Sequence, residues 1–135
     1  MAEGILAAEL PHIRVASAGT AALTGKAADP MAQELMLRRG LDISDHIATQ
    51  VNQSVCRGAE LILVMDLEQK RYLESAYPFT RGKVFRIAES LKKDVPDPYR
   101  EGEEAFEFSL RLIEEGAKTW IERILKITKP EQQSQ

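Results

Sequence analysis

The chain has 135 residues, and at about 100 to 200 residues per domain that length predicts a single domain. It is 44% hydrophobic and 29% charged, ordinary for a globular protein and too apolar for a disordered one. Eighteen basic residues against twenty-one acidic ones give a formal charge of −3, which leaves no electrostatic footprint for a nucleic-acid backbone and excludes a polyanion as the natural partner.

In chain order, Met1 to Leu10 carries Ile5, Leu6 and Leu10 among alanines and predicts a short helix with no cap before it. Ile13 to Ala16 predicts a first strand. Asp29 can cap a second helix, Pro30 suits its first position and Gly40 follows its end, while Met31, Leu35 and Met36 supply its apolar face. Thr49 to Arg57 predicts a third, weaker helix. Leu61 to Met65 is apolar at every position, as a strand buried on both faces should be. Leu67 to Ser75 predicts a helix and Lys83 to Ile87 another strand. Phe106, Leu110, Ile113, Ala117, Trp120 and Ile124 recur at steps of three and four, which predicts a long final helix with its aromatics in the core. Strands alternating with helices define an α/β fold with a parallel sheet covered by helices. The domain is expected over residues 1–128, followed by a polar tail, 129–135.

Several chemistries are excluded by count. The aliphatic run Leu61 to Met65 is closed by Glu60 and Asp66, far short of the roughly 20 residues a membrane helix needs, so no insertion is expected. The N-terminus has neither the basic start nor the long apolar stretch of a secretory signal, which points to the cytoplasm. A single cysteine, Cys56, forms no internal disulfide and no cysteine-rich metal site, and His12 and His46 have no neighbour at ligand spacing, so no metal or cofactor is expected. The run Gly19 to Ala27 approaches a phosphate-binding loop but has one residue too many between its glycines and Ala27 where a hydroxyl is needed after Lys26. Cys56 as a nucleophile would need an oriented base or an anion-cradling loop with an arginine six positions on to activate its thiolate; that position is Ile62. Cys56 is therefore expected to be a small, half-buried residue on a helix.

Asp94-Val95-Pro96-Asp97-Pro98-Tyr99 is the most informative stretch. Two prolines fix the backbone on either side of Asp97 and remove two amide donors, which places the carboxyl on a stiff, amide-poor loop suited to a general acid. Tyr99 could form an aromatic wall beside it. Asp-Pro is also common turn chemistry between a strand and a helix.

Six segments in order, Met1-Ala2-Glu3-Gly4, Ser17-Ala18-Gly19-Thr20, Ala28-Asp29-Pro30, His46-Ile47-Ala48-Thr49-Gln50, Leu63-Val64-Met65-Asp66 and Asp97-Pro98-Tyr99, resemble the low-molecular-weight protein-tyrosine-phosphatases of the bacterial type, from residue 1 to about residue 127. The resemblance implies a three-layer, flavodoxin-like parallel sheet of order 2-1-3-4 and a metal-free, two-step phosphoryl transfer. In that chemistry a cysteine thiolate attacks phosphotyrosine, an arginine and loop amides hold the phosphate, and an aspartate protonates the phenolate. The aspartate matches Asp97, Tyr99 the aromatic residue at the cleft mouth, Ser17 a serine that braces the phosphate loop, and Leu23 the variable loop that shapes substrate access. Thr49 stands where the family commonly has arginine.

The family signature, Cys-x5-Arg followed by Ser or Thr and Pro, normally precedes the residues matched by Met1 to Gly4, and these 135 residues contain no such run. The expectation is therefore a chain without the first, interior strand, without nucleophile and phosphate loop, and catalytically inactive as given. Its unmade strand edges would favour a strand-donating partner or self-association. The implied partners are phosphotyrosine proteins, a bacterial tyrosine autokinase among them. The alternative is a non-catalytic relative that binds phosphoproteins or a kinase; a single cysteine argues against the sibling arsenate-reductase chemistry.

Overall fold

The computed structural model of the chain describes residues 1–19, 28–46 and 49–128. Its sheet is built where the apolar runs predict it, by β1 (Ile62–Val64) and β2 (Val84–Arg86), paired in parallel with Ile62 opposite Val84 and Val64 opposite Arg86. The ladder is extended at both ends, Ile62 N–H donating to the Lys83 carbonyl and Ile87 N–H to that of Val64, each at 2.8 Å. Helix α4 (Leu67–Ala76) is the crossover between the strands. Asp66 accepts from Gln69 N–H and the Gln69 side chain accepts from Met65 N–H, both at 2.8 Å, so the strand-to-helix turn satisfies its own donors.

Alternate residues of the strands serve two faces. Leu61, Leu63, Met65 and Phe85 pack against the cluster of Ile87, Val95, Ile113 and Trp120, while Ile62, Val64 and Val84 pack with Cys56 and Leu73. The layers are thus α1 (Ala2–Glu9) and α5 (Glu103–Thr128), then sheet, then α3 (Gln53–Gly58) and α4, the three-layer α/β arrangement. β1 is less enclosed than its composition predicts: Val64 is buried, but Ile62 and Leu63 are half-buried. It pairs on one edge only among the described residues, and in a parallel ladder Leu63 then directs its amide and carbonyl to the other edge.

The strand predicted at Ile13 to Ala16 does not form. Ile13 and Val15 are half-buried and Arg14 and Ala16 exposed, the period of a strand, yet no described segment lies alongside to complete a ladder. The one sheet contact nearby is an isolated parallel bridge between Gly19 and Gln50, with Gly19 N–H donating to Thr49 at 2.8 Å and Val51 N–H to Gly19 at 2.9 Å. Of the order 2-1-3-4, the pair in the last two places is present. That bridge also corrects the third helix: Thr49 to Val51 are taken by it, and α3 begins only after Asn52, whose side chain accepts from Val55 N–H at 2.8 Å.

α2 (Pro30–Arg38) follows its predicted signals. Asp29 accepts from Met31 N–H at 2.8 Å, and Gly40, at φ +79°, lets Gly40 and Leu41 return their amides to Leu37 and Met36. Leu35 and Met36 meet Phe106 and Leu110 of α5 in a second core. Arg39 links the same two helices, donating to Glu107 at 2.6 Å and Glu114 at 2.7 Å. The Arg39 hydrogen bond holds the Glu107 carboxyl below its ordinary value near 4.5. A carboxyl depressed by folding stabilises the fold above its unfolded value and loses that contribution as pH falls through the folded one. Arg39→Met is therefore expected to lower the melting temperature at pH 7 and to flatten its decline below about pH 4.5; parallel pH profiles of the two proteins would contradict this.

α5 buries the predicted stripe, Phe106, Leu110, Ile113, Ala117 and Trp120, and continues beyond Ile124 to Thr128. Trp120 donates its indole N–H to the Arg86 carbonyl at 3.1 Å. Gly116 lets the helix lie directly on the chain after β2: a Cβ there would sit 2.2 Å from the Ile87 carbonyl oxygen and 2.8 Å from Ala88 Cα, both backbone atoms. Alanine normally favours a helix by about 1 kcal/mol over glycine, but here the clash must separate two packed layers. Gly116→Ala is expected to destabilise by about 3 kcal/mol, read as a lower urea midpoint; an unchanged or higher midpoint would show that the layers yield.

Candidate active-site groove

A groove of about 840 Å³ opens between the start of α1, residues 41–46 and the loop after β2, with Met65 and Asp66 beneath it. Asp97 lines it, as do Ser17, Glu3 and His46. No group of three or more metal-ligating side chains occurs among the described residues, and no described helix is long and apolar enough to cross a membrane.

The loop that carries Asp97 is held at successive points. Asp94 Oδ1 accepts from Arg86 Nη1 at 3.0 Å and from Leu67 N–H at 3.2 Å. Val95 is buried, and its N–H donates to the Met65 carbonyl at 2.8 Å. Ser109 Oγ donates to the Pro96 carbonyl at 2.7 Å. Glu101 N–H donates to Pro98 at 2.9 Å, after which Arg100 and Gly102 take positive φ angles on the way into α5. Asp97 itself is exposed and accepts from Tyr99 N–H at 3.0 Å. The loop is thus stiff as its prolines predict, but the Asp97 carboxylate has one amide partner, which the count of prolines alone overlooks. Asp94 is committed to Arg86 at the root of the loop and does not line the groove, so of the two carboxylates only Asp97 lines it.

The other predicted residues separate. Tyr99 is 49% exposed, with the Arg100 guanidinium 5.1 Å from its ring, and it does not line the groove. Leu23 lies outside the described residues. Ser17 lines the groove and donates its hydroxyl to Glu3, and Glu3 in turn lies 3.5 Å from His46 Nδ1. The sequence singles out neither Glu3 nor His46 as a site residue, because an acid in a first helical turn looks like ordinary dipole matching and His46 has no neighbour at ligand spacing. The Glu3 carboxylate, not the His46 imidazole, meets the serine hydroxyl.

Cys56 sits in a different setting. It is 2% exposed among Val64, Leu73 and Val84, more buried than expected, and lies away from the groove. Burial pushes its thiol up, opposed only in part by Lys83, whose ammonium donates to the Cys56 and Ala59 carbonyls at 2.8 and 2.6 Å. Reactive thiolates need the opposite environment.

A parallel α/β core with a loop-borne aspartate over an open groove defines a class that comparison makes specific. Residues 1–130 match the family described as low molecular weight phosphotyrosine protein phosphatase, and the chain belongs to it. EpsP of Ralstonia nicotianae, named as a probable low molecular weight protein-tyrosine-phosphatase, is 45% identical over 124 residues, covering 92% of this chain and 86% of its own. The low molecular weight protein-tyrosine-phosphatase Wzb of Salmonella typhimurium is 36% identical over 91% of this chain and 83% of its own. The structure of Vibrio vulnificus Wzb in complex with benzylphosphonate superposes with a TM-score of 0.86 at 38% identity, covering 90% of this chain and 87% of that one.

Proposed function

We propose that the groove is the phosphotyrosine site of a protein-tyrosine-phosphatase in which Asp97 is the general acid and then the general base, and that the nucleophile and anion cradle come from a Cys-x5-Arg loop these 135 residues do not contain. The observation that carries this reading is the placement of Asp97: the one carboxylate of its loop that faces the groove, on a loop tied to β1, β2 and α5. The edge of β1 at Leu63, unpaired among the described residues, is where the strand leading into such a loop would pair, and Ser17 and Glu3 line the adjoining groove. Benzylphosphonate, bound by the Vibrio relative, has the aryl group and phosphate-like head that this site would take.

In the first step the thiolate attacks phosphorus, the bond to the phenolic oxygen breaks, and Asp97 gives that oxygen its proton. In the second, the Asp97 carboxylate takes a proton from water as its oxygen attacks the cysteinyl phosphate, returning thiolate and inorganic phosphate. Substrates would be cytoplasmic phosphotyrosine proteins, a tyrosine autokinase among them. The test joins these residues to the strand and Cys-x5-Arg loop of a Wzb relative and assays phosphotyrosine peptide. Turnover that disappears when the grafted cysteine becomes serine supports the reading. A folded graft that binds the peptide without turnover would favour the non-catalytic binder instead.

A further inference from the structure

Within the loop 94–99, Pro96 and Pro98 have no N–H to give. The Val95 amide is spent on Met65 and the Tyr99 amide on Asp97. The carbonyl of Pro96, the residue joined directly to Asp97, is gripped by a donor from outside the loop. Ser109 supplies it. A helical serine ordinarily satisfies its hydroxyl on the carbonyl one turn back; Ser109 instead reaches across to Pro96 at 2.7 Å, from a position 1% exposed.

The helix behind it is rigid at that point. Ser109 lies between Phe106 and Leu110, which are locked into the α2 core, and the buried Ile113, and further along α5 is pinned to the end of β2 through Gly116 and Trp120. A second strut holds the other end of the loop, where Arg86, 8% exposed, joins Asp94 and Glu89.

We propose that Ser109 is a positioning residue for the reaction: its hydroxyl, by fixing the peptide before Asp97, sets where the Asp97 carboxyl meets the leaving oxygen. This rests on Asp97 being the general acid. A loop freed at Pro96 still presents an acid to the groove, but over a wider arc, so the deficit falls on leaving groups that need the proton and spares those that do not.

The test has two readouts. In the 135-residue chain, amide hydrogen exchange at Tyr99 is expected to quicken about tenfold in Ser109→Ala while the β1 and β2 amides keep their rates. A merely structural role would quicken all of them together. In the form bearing the Cys-x5-Arg loop, kcat/KM is measured over a series of aryl phosphates for Ser109→Thr and Ser109→Val, isosteric side chains that share any packing cost and differ in the hydroxyl. Val is expected to lose about tenfold on phenyl phosphate relative to Thr, and less than twofold on an activated aryl phosphate. Equal leaving-group dependence in the two variants, or uniform exchange, overturns the role of Ser109 while leaving that of Asp97 standing. Asp97→Asn is run alongside: if it shows no leaving-group dependence, Asp97 is not the acid and both inferences fall.

Discussion

Asp97→Asn, in the form carrying the phosphate loop, is expected to lower kcat/KM for phenyl phosphate by about 10²- to 10⁴-fold and to leave an activated aryl phosphate nearly untouched. The substitution keeps the shape of the side chain and its acceptance from Tyr99 N–H, so the loop should hold its place. What it removes is the transferable proton, whose value rises with the basicity of the departing oxygen. Inhibition by inorganic phosphate should barely change, because the anion is held by the cradle and not by Asp97. Asp94→Asn is the informative companion. Asp94 Oδ1 accepts from Arg86 and Leu67, acceptances that an amide oxygen can retain, and it does not line the groove. Its effect should stay within about threefold for every leaving group. A leaving-group trend in Asp94→Asn, with Asp97→Asn silent, would exchange the two roles.

The parts of this fold that read directly from sequence are those whose causes are local. Asp29, Pro30 and Gly40 mark α2 because a cap, a preset φ and a left-handed C′ act within a turn of their own position. The α5 stripe is periodic over its whole length and needs only one apolar surface to face. A strand differs, since its backbone groups are satisfied by a partner remote in sequence, and Ile13 to Ala16 keeps the period of a strand without a ladder among the described residues. The start of α3 was displaced for the same reason, by a bridge from Gln50 to Gly19. At the site, Asp97 is legible through its flanking prolines and then through the family resemblance. Glu3, His46 and Ser109 are not, because each acquires meaning from a contact that no local pattern encodes.

Turnover of an aryl phosphate by a chain of these 135 residues alone is expected to be indistinguishable from background, and that follows from what each group can contribute. General acid catalysis supplies about 10²- to 10⁴-fold, whereas accelerations of phosphate monoester hydrolysis reach about 10²¹-fold. The balance must come from a covalent nucleophile and from donors that stabilise the charged phosphoryl group. The one thiol, Cys56, is buried away from the groove with its ionisation disfavoured, and the neighbouring cation, Lys83, is tied to backbone carbonyls. Arg86, at the root of the Asp97 loop, is engaged by Glu89 and Asp94 through all three of its guanidinium nitrogens. The assay is p-nitrophenyl phosphate hydrolysis by the chain as it stands, beside Cys56→Ser and a graft bearing the Cys-x5-Arg loop. Cys56→Ser should leave the graft's rate unchanged. If the unextended chain turns over within tenfold of the graft, or if Cys56→Ser abolishes activity in either, the nucleophile has been misplaced and the buried thiol must be able to reach the groove.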